Sequence, residues 1–378
     1  MRPPKEAATK QVWKLQKCVY GLADASRFWY LRVREELMKL GAKLSRVDPG
    51  IFYWKENDKL IGVLACHVDD MIWGGTDDFK GSIIKKLKEI FHFGSEEVES
   101  FTYIGINLTQ NTDFSIHINQ NSYIDSISEI PLSKEQLKFK NKPLSETERT
   151  SYRSVVGQLN WISGISRPDI SFSVCEASTK FTSATVADIQ YVNKIVRKVK
   201  NTPSFIRFPS FNQDTLRLQL FTDASFNNLP NGGSQAGQII FLTDSENNAS
   251  PIYWNSSKIK RVARSTLAAE TLSLSDGCDV VQFSNRLISE IICYNKQELE
   301  ITAYTDNYSL YEASYSMKQT LEKRLLLDIS ALREMVARNE VKITWVEKEK
   351  QLSDILTKSG VNSTSILDIL QSSKMISL

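Results

Sequence analysis

The sequence predicts a multidomain chain of mixed α+β and α/β architecture. Three observations carry that expectation. The first 120 residues mix amphipathic helix with short strands. Residues 121 to about 210 read as mostly helical. The remainder runs β-β-β-α-β-α-α-β-α, the order of an α/β layer around one mixed sheet. A chain of 378 residues leaves room for two or three such domains. A content of 41% hydrophobic and 24% charged residues excludes wholesale disorder. Gly 16 and Pro 10 exclude a fibrous or low-complexity protein.

Leu22 to Leu40 reads as an amphipathic helix, with Phe28, Leu31 and Leu37 as its apolar stripe. Arg32, Arg34, Glu35 and Glu36 are expected on its wet side. Asp48-Pro49-Gly50 is a turn, and Ile51 to Trp54 a short aromatic strand. Leu60 to Trp73 holds two apolar runs around Asp69-Asp70, closed by Gly74-Gly75. That pattern predicts a hairpin with the acidic pair at its tip, buried on a sheet because both arms are apolar on both faces. Phe79 to Phe93 reads as a basic amphipathic helix, and Phe101 to Gln110 and Ser115 to Asn119 as further strands. Thr150 to Ser163 and Val186 to Lys200 are the clear helices of the middle region. The two prolines of Asn201 to Pro209 suggest a boundary.

Beyond it, Leu216 to Phe226, Gln238 to Thr243 and Pro251 to Trp254 read as strands. A long helix spans about Ser265 to Ile292. Glu300 to Thr305 and Val341 to Val346 are strands, and Tyr308 to Tyr315 and Leu321 to Arg338 are helical. Leu352 to Lys358 is expected to open a last helix. No internal repeat of about 20–50 residues is visible.

The five cysteines (Cys18, Cys66, Cys175, Cys278, Cys293) are odd in number and form no CxxC pair. A disulfide framework or structural zinc site is not expected, and a reducing compartment is. The three histidines are His67, His92 and His117. A metal site in the C-terminal half must therefore be built from carboxylates, which favour a hard cation such as Mg²⁺. The polar N-terminus has no apolar signal-peptide core, and the run Leu60 to Cys66 is far too short to span a bilayer. Lys+Arg 47 against Asp+Glu 44 leaves a net charge of +3, which neither demands nor forbids a nucleic-acid partner.

Four carboxylates stand at informative places in the C-terminal half. Asp223 lies near the end of the first strand, in Phe-Thr-Asp-Ala-Ser. Glu270 is in the long helix, in Leu-Ala-Ala-Glu-Thr. Asp306 ends the fourth strand, in Tyr-Thr-Asp-Asn. Asp354 lies in the expected first turn of the last helix, in Leu-Ser-Asp-Ile-Leu. Phosphodiester hydrolysis by two metals needs converging oxygen ligands of this kind, because Mg²⁺ takes only oxygen and keeps some waters.

These segments, in this order, resemble the ribonuclease H domain of copia-type retrotransposon polyproteins. The resemblance implies that Asp223, Glu270, Asp306 and Asp354 are the ligands of two Mg²⁺ (or Mn²⁺) ions. It further implies a ribonuclease H-like mixed five-stranded sheet with helices. Many such domains carry a His near the last Asp; here that region reads Lys-Arg-Leu-Leu-Leu-Asp-Ile-Ser, which bears on turnover rather than metal binding.

The N-terminal half extends the likeness. Residues 14–30 (Lys-Leu-Gln-Lys-Cys-Val-Tyr-Gly-Leu-Ala-Asp-Ala-Ser-Arg-Phe-Trp-Tyr), 47–52, the His67-Val68-Asp69-Asp70 hairpin and 101–106 resemble the reverse transcriptase of the same elements. The family assigns the hairpin aspartates to the polymerase metals, which implies Asp69 and Asp70; its usual Tyr at the hairpin's first position is His67 here. The family also uses an Asp on a strand preceding a Pro-Pro segment. Only Met1 and Arg2 precede Pro3-Pro4. The expectation is therefore a partial polymerase palm with an incomplete site, inactive in DNA synthesis on its own.

The implied division is 1–120 partial fingers and palm, 121–210 helical thumb or connection, and 211–378 ribonuclease H-like domain. The implied partners are an RNA–DNA hybrid, primer–template nucleic acid and other polyprotein parts of the element, in cytoplasmic element particles or the nucleus, without a membrane. Two basic runs are candidates for phosphate contact: Lys194, Arg197, Lys198 and Lys200 on a helix, and Lys258, Lys260, Arg261 and Arg264 before the helix that bears Glu270. Ser234 with Gly232, Gly233 and Gly237 reads as a loop open to nucleic acid. Phe28-Trp29-Tyr30 and Phe52-Tyr53-Trp54 are expected in the core. The competing reading is a decayed or co-opted element that binds nucleic acid without catalysis.

Overall fold

The computed structural model describes residues 19, 21–229, 232–292, 298–316 and 322–377. Cys18, Cys293, Pro3-Pro4 and residues 14–18 and 20 of the first motif lie outside the described residues. The chain divides into two compact units, Met1–Glu96 with Leu287–Gln297, and Glu97–Arg286 with Glu298–Leu378.

In the first unit, helix α1 (Ala25–Lys39) leads into strands β1 (Lys43–Leu44), β2 (Ile51–Glu56), β3 (Lys59–His67) and β4 (Asp70–Gly75). They form an antiparallel sheet in the order β1-β2-β3-β4. Helices α2 (Asp77–Phe79) and α3 (Lys85–Ile90) follow, joined by one π turn at Lys80–Ile84. The expected basic helix is thus real but broken into three pieces, and it ends where Phe91 turns extended.

The apolar stripe of α1 is the expected one only at Leu37. Phe28 and Leu31 are exposed, whereas Val33 and Leu37 are fully buried, with Trp29 and Tyr30 packed beside them. Positions 29, 30, 33 and 37 share one face at the helical period, and Phe28 lies well around the cylinder from Val33. Glu36 is also buried rather than wet; Arg32 at 2.7 Å and Lys39 at 3.0 Å neutralise it. Phe52, Tyr53 and Trp54 do enter the core. Phe79 lies flat on the sheet where Gly62 and Gly75 leave room: a Cβ on either would sit 2.4 or 2.6 Å from its ring.

The second unit opens with β5 (Ser100–Tyr103), β6 (Ile106–Gln110) and β7 (Ile116–Asn119). Helices α4 (Asn121–Ser126), α5 (Glu146–Ile165), α6 (Ser171–Ser178) and α7 (Val186–Asn201) follow. Ser145 with Glu148 and Thr185 with Asp188 form capping boxes that start α5 and α7. The four helices share one apolar cluster around Tyr152, Leu159, Ile162, Ile189, Val192 and Val196. Residues Ile206–Phe208 form β8, which pairs with β7 and completes the antiparallel sheet β5-β6-β7-β8.

The remaining elements are β9 (Arg217–Leu229), β10 (Gly233–Thr243), β11 (Ala249–Lys258), α8 (Thr266–Ile291), β12 (Glu300–Thr305), α9 (Tyr308–Tyr315), α10 (Leu326–Ala337), β13 (Lys342–Trp345) and α11 (Thr364–Ser372). Their strands form one five-stranded sheet in the order β11-β10-β9-β12-β13. β9, β10 and β11 are antiparallel, and β12 and β13 join parallel to β9. This is the ribonuclease H-like mixed sheet that the sequence predicts. On one face, Gly277 of α8 lets the helix approach Leu220 and Thr222 closely; a Cβ there would lie 3.2 and 3.0 Å from them. On the other, Phe221, Ile239 and Phe241 pack with Leu352, Leu356, Ile366 and Ile369.

Three local expectations change here. Leu352 to Lys358 does not open a long helix: Asp354–Leu356 is a single 3₁₀ turn, Gly360 takes a left-handed φ of 75°, and α11 starts only at Thr364. Gly233, Ser234 and Gly237 are in strand β10, not in a loop. Phe28 leaves its aromatic run for the surface.

Candidate active site

The parallel register of β9 and β12 creates the site. The last paired positions are Phe221 and Tyr304. Two residues beyond that pair each chain segment carries an aspartate at the same level, Asp223 within β9 and Asp306 just past the end of β12. Strand alternation turns Asp223 to the face opposite Thr222, away from α8. On that face the Asp354 turn is pinned. Gln351 donates from Nε2 to the Thr222 carbonyl at 3.0 Å. Ser256 and Asn228 donate to the carbonyls of Leu356 (2.5 Å) and Thr357 (3.0 Å).

Gly237 makes this approach possible. It stands directly opposite Asp223 in the ladder. A Cβ on it would lie 2.7 Å from both Leu356 Cβ and Thr357 Cγ2, and 3.1 Å from the Ser353 carbonyl. The carboxylate oxygens of Asp223, Asp306 and Asp354 consequently lie within 4.8 Å of one another. This is the one such three-residue group among the described residues.

Glu270 approaches from α8 and stands outside that trio. It is 4% exposed, accepts the Ala224 backbone N–H, and its Oε2 has no hydrogen-bond partner. Burial, and then the charges of Asp223 and Asp306, push its pKa well above the ordinary carboxylate value. Asp223 is 2% exposed, and burial, with repulsion from Asp354 and Asp306, raises it to about 6. Asp306 is raised by burial and by Asp354. Crowded, desolvated carboxylates of this kind lack positive charge.

Part of that charge comes from a residue that reasoning from the sequence missed. Lys358 Nζ lies 2.8 Å from Asp354 Oδ1 and 3.3 Å from Asp223 Oδ2. The Thr357 hydroxyl donates to the same Asp223 oxygen. The motif Leu-Ser-Asp-Ile-Leu-Thr-Lys contained the signal, an acid and a base spaced i, i+4.

All the donors are oxygens, one of them an orphaned buried carboxylate oxygen, and no His or Cys joins the group. That set fits hard divalent ions such as Mg²⁺ or Mn²⁺.

Asp69 and Asp70 sit where the sequence places them, at the tip of the β3–β4 hairpin. Val68, at φ 57°, and Asp69 make its two-residue turn. The tip is exposed rather than buried. β4 is the edge strand, and Val63 and Ala65 on the second face of β3 are only half-buried. No third carboxylate joins the pair among the described residues.

The basic candidates divide. Lys198 pairs with the buried Asp169 at 2.9 Å, beside the fully buried Arg167. Arg197 pairs with Glu129 at 3.4 Å, and Lys200 donates to the Asp125 carbonyl at 3.0 Å. Arg261 makes a two-pronged pair with Asp328, at 2.8 and 2.9 Å. Lys194, Lys258, Lys260 and Arg264 are exposed and form no ion pair among the described residues.

Residues 2–137 match the family model described as reverse transcriptase (RNA-dependent DNA polymerase). A retrovirus-related Pol polyprotein from transposon RE1 of Arabidopsis thaliana is 27% identical over 361 residues, covering 92% of this chain. Over most of its length the chain is similar to retrovirus-related Pol polyproteins of transposons. It spans about a quarter (24%) of that relative's length. Among solved structures, the chain is similar to the foamy viral protease–reverse transcriptase in complex with RNA/DNA hybrid. That match is 12% identical with a TM-score of 0.49, and covers 92% of this chain and 40% of that one. It is also similar to LC11-RNase H1 in complex with RNA/DNA hybrid, at 16% identity and TM-score 0.29, over 37% of this chain and 94% of that one. No helix among the described residues is long and apolar enough to cross a membrane.

Proposed function

We propose that residues 211–378 hydrolyse the RNA strand of an RNA–DNA hybrid with two divalent ions, Mg²⁺ or Mn²⁺, leaving 3′-hydroxyl and 5′-phosphate ends. The observation that carries this reading is the trio of Asp223, Asp306 and Asp354 oxygens within 4.8 Å, at the end of a ribonuclease H-like sheet. Asp223 and Asp306 would hold the ions between them, with Glu270 and Asp354 completing the set. Bound divalent ions would supply charge stabilisation to the attacking water and the leaving oxygen. The chain's own contribution is placement. Parallel register fixes two carboxylates, Gln351, Ser256 and Asn228 fix the turn that carries the third, and burial keeps water from screening them.

Residues 1–120 are the fingers and palm part of the polymerase region, and 121–210 its thumb or connection. Asp69 and Asp70 would hold polymerase metals at the tip of the β3–β4 hairpin. Lys194, Lys258, Lys260 and Arg264 are the cations free to meet phosphates of a hybrid.

The test is cleavage of a labelled hybrid with Mg²⁺. Asp223→Asn should lower the rate by about a hundredfold or more. Undiminished cleavage by that variant would remove the site assignment. Metal-independent binding without any cleavage by the unaltered chain would favour a relic that only binds.

A further inference from the structure

Lys358 is the member of the site that metal-dependent hydrolysis does not call for. Its ammonium bridges oxygens of Asp223 and Asp354, at 3.3 and 2.8 Å. These are two of the three residues whose oxygens converge. Burial works against this charge, but the two aspartates outweigh it and raise the Lys358 pKa above the ordinary lysine value. The ammonium is therefore firmly held. Its side chain is nevertheless 35% exposed, so it has a way out to solvent without disturbing the turn. The backbone of that turn is fixed independently, by the Lys358 N–H to the Asp354 carbonyl at 3.2 Å and by the bonds to Leu356 and Thr357.

We propose that Lys358 is a built-in counter-cation. It holds the carboxylates together while no divalent ion is present, and swings outward when one enters. The inference rests on the reading that these carboxylates bind metal. Its physical basis is competition for the same oxygens. A dication and an ammonium at hydrogen-bond distance from one carboxylate repel each other strongly in a poorly solvated site. The measured affinity for the first ion therefore contains the cost of displacing Lys358. In exchange, the carboxylates stay converged when metal is scarce instead of pushing the Asp354 turn away.

The experiment is a calorimetric titration of the full chain with Mn²⁺ alone, paired with melting temperatures in its absence and at saturation. Lys358→Met and Lys358→Gln keep the stem and remove the charge; Lys358→Arg keeps the charge. The neutral variants should bind the first Mn²⁺ about tenfold more tightly, with Lys358→Arg close to the unaltered chain. Their melting temperatures should be lower without metal and should converge on the unaltered chain's value at saturation. Unchanged or weaker Mn²⁺ binding by both neutral variants, beside measurable binding by the unaltered chain, overturns the proposal and leaves the metal site standing. A melting deficit of equal size with and without Mn²⁺ marks a merely structural lysine and also overturns it. If the unaltered chain binds Mn²⁺ no better than Asp223→Asn, the metal-site reading falls and this inference falls with it.

Discussion

Asp223 illustrates how much of this site turns on one side chain. Its pKa rises from 3.8 to about 6, chiefly through burial, a displacement equivalent to about 3 kcal/mol against the ionised folded form. The sign follows from proton counting. Between those values the folded chain holds a proton that the unfolded chain has lost, so metal-free stability falls as pH rises through about 6. Asp223→Asn, which removes the charge, should therefore raise the metal-free melting temperature by a few degrees at pH 7. The gain should vanish near pH 4; thermal melts at both pH values, with chelator present, check this. An equal gain at both would mean that the carboxylate's charge is not the cause. At this scale the sequence shows the carboxylates well, because each sits in a compact motif. It hides Lys358, because a lysine after an acidic turn looks like any solvated charge until the third dimension places it against Asp223.

The elements are readable where one strong periodicity rules, and are misread where packing chooses between faces. The strands of the mixed sheet and the long helix α8 follow from alternation and length. The stripe of α1 does so only at Leu37, because Phe28 and Leu31 are as apolar as the residues that the sheet selected. The last turn reads in the sequence as the start of a helix, yet its role is to deliver Asp354. Gly237 is the element-scale determinant of that delivery, and no local signal in a strand distinguishes it from a weak position. Gly237→Ala puts a methyl 2.7 Å from Leu356 and Thr357, so the turn must move off β10. The expected cost is about 1–3 kcal/mol of stability. Cleavage should fall further than that loss explains, as Asp354 leaves the trio. Hybrid cleavage and chemical denaturation measured on the same preparation separate the two effects. Full cleavage by Gly237→Ala would show that the turn does not depend on this gap.

Over the whole chain, the near balance of charge, +3, conceals a sorted distribution. Acidic groups converge at the sheet's end, while several of the basic candidates are spent within the chain, on Asp169, Glu129 and Asp328. Counting cations along the sequence therefore overstates the surface that nucleic acid can meet. Replacing Lys194, Lys258, Lys260 and Arg264 together by Ala should weaken hybrid binding. It should also flatten the dependence of log affinity on log salt, by about one unit for each phosphate that is no longer neutralised. Fluorescence anisotropy with a labelled hybrid across a salt series reads this directly, and an unchanged slope would remove those residues from the interface. Beneath all of these expectations lies one assertion, that Asp223, Asp306 and Asp354 gather divalent ions. Crystals of the chain soaked in Mn²⁺ and measured at a wavelength where manganese scatters anomalously test it most directly. The expected result is anomalous density within coordination distance of those three carboxylates, with the Lys358 ammonium moved away. Manganese bound elsewhere, with this cluster empty under saturating metal, would contradict it.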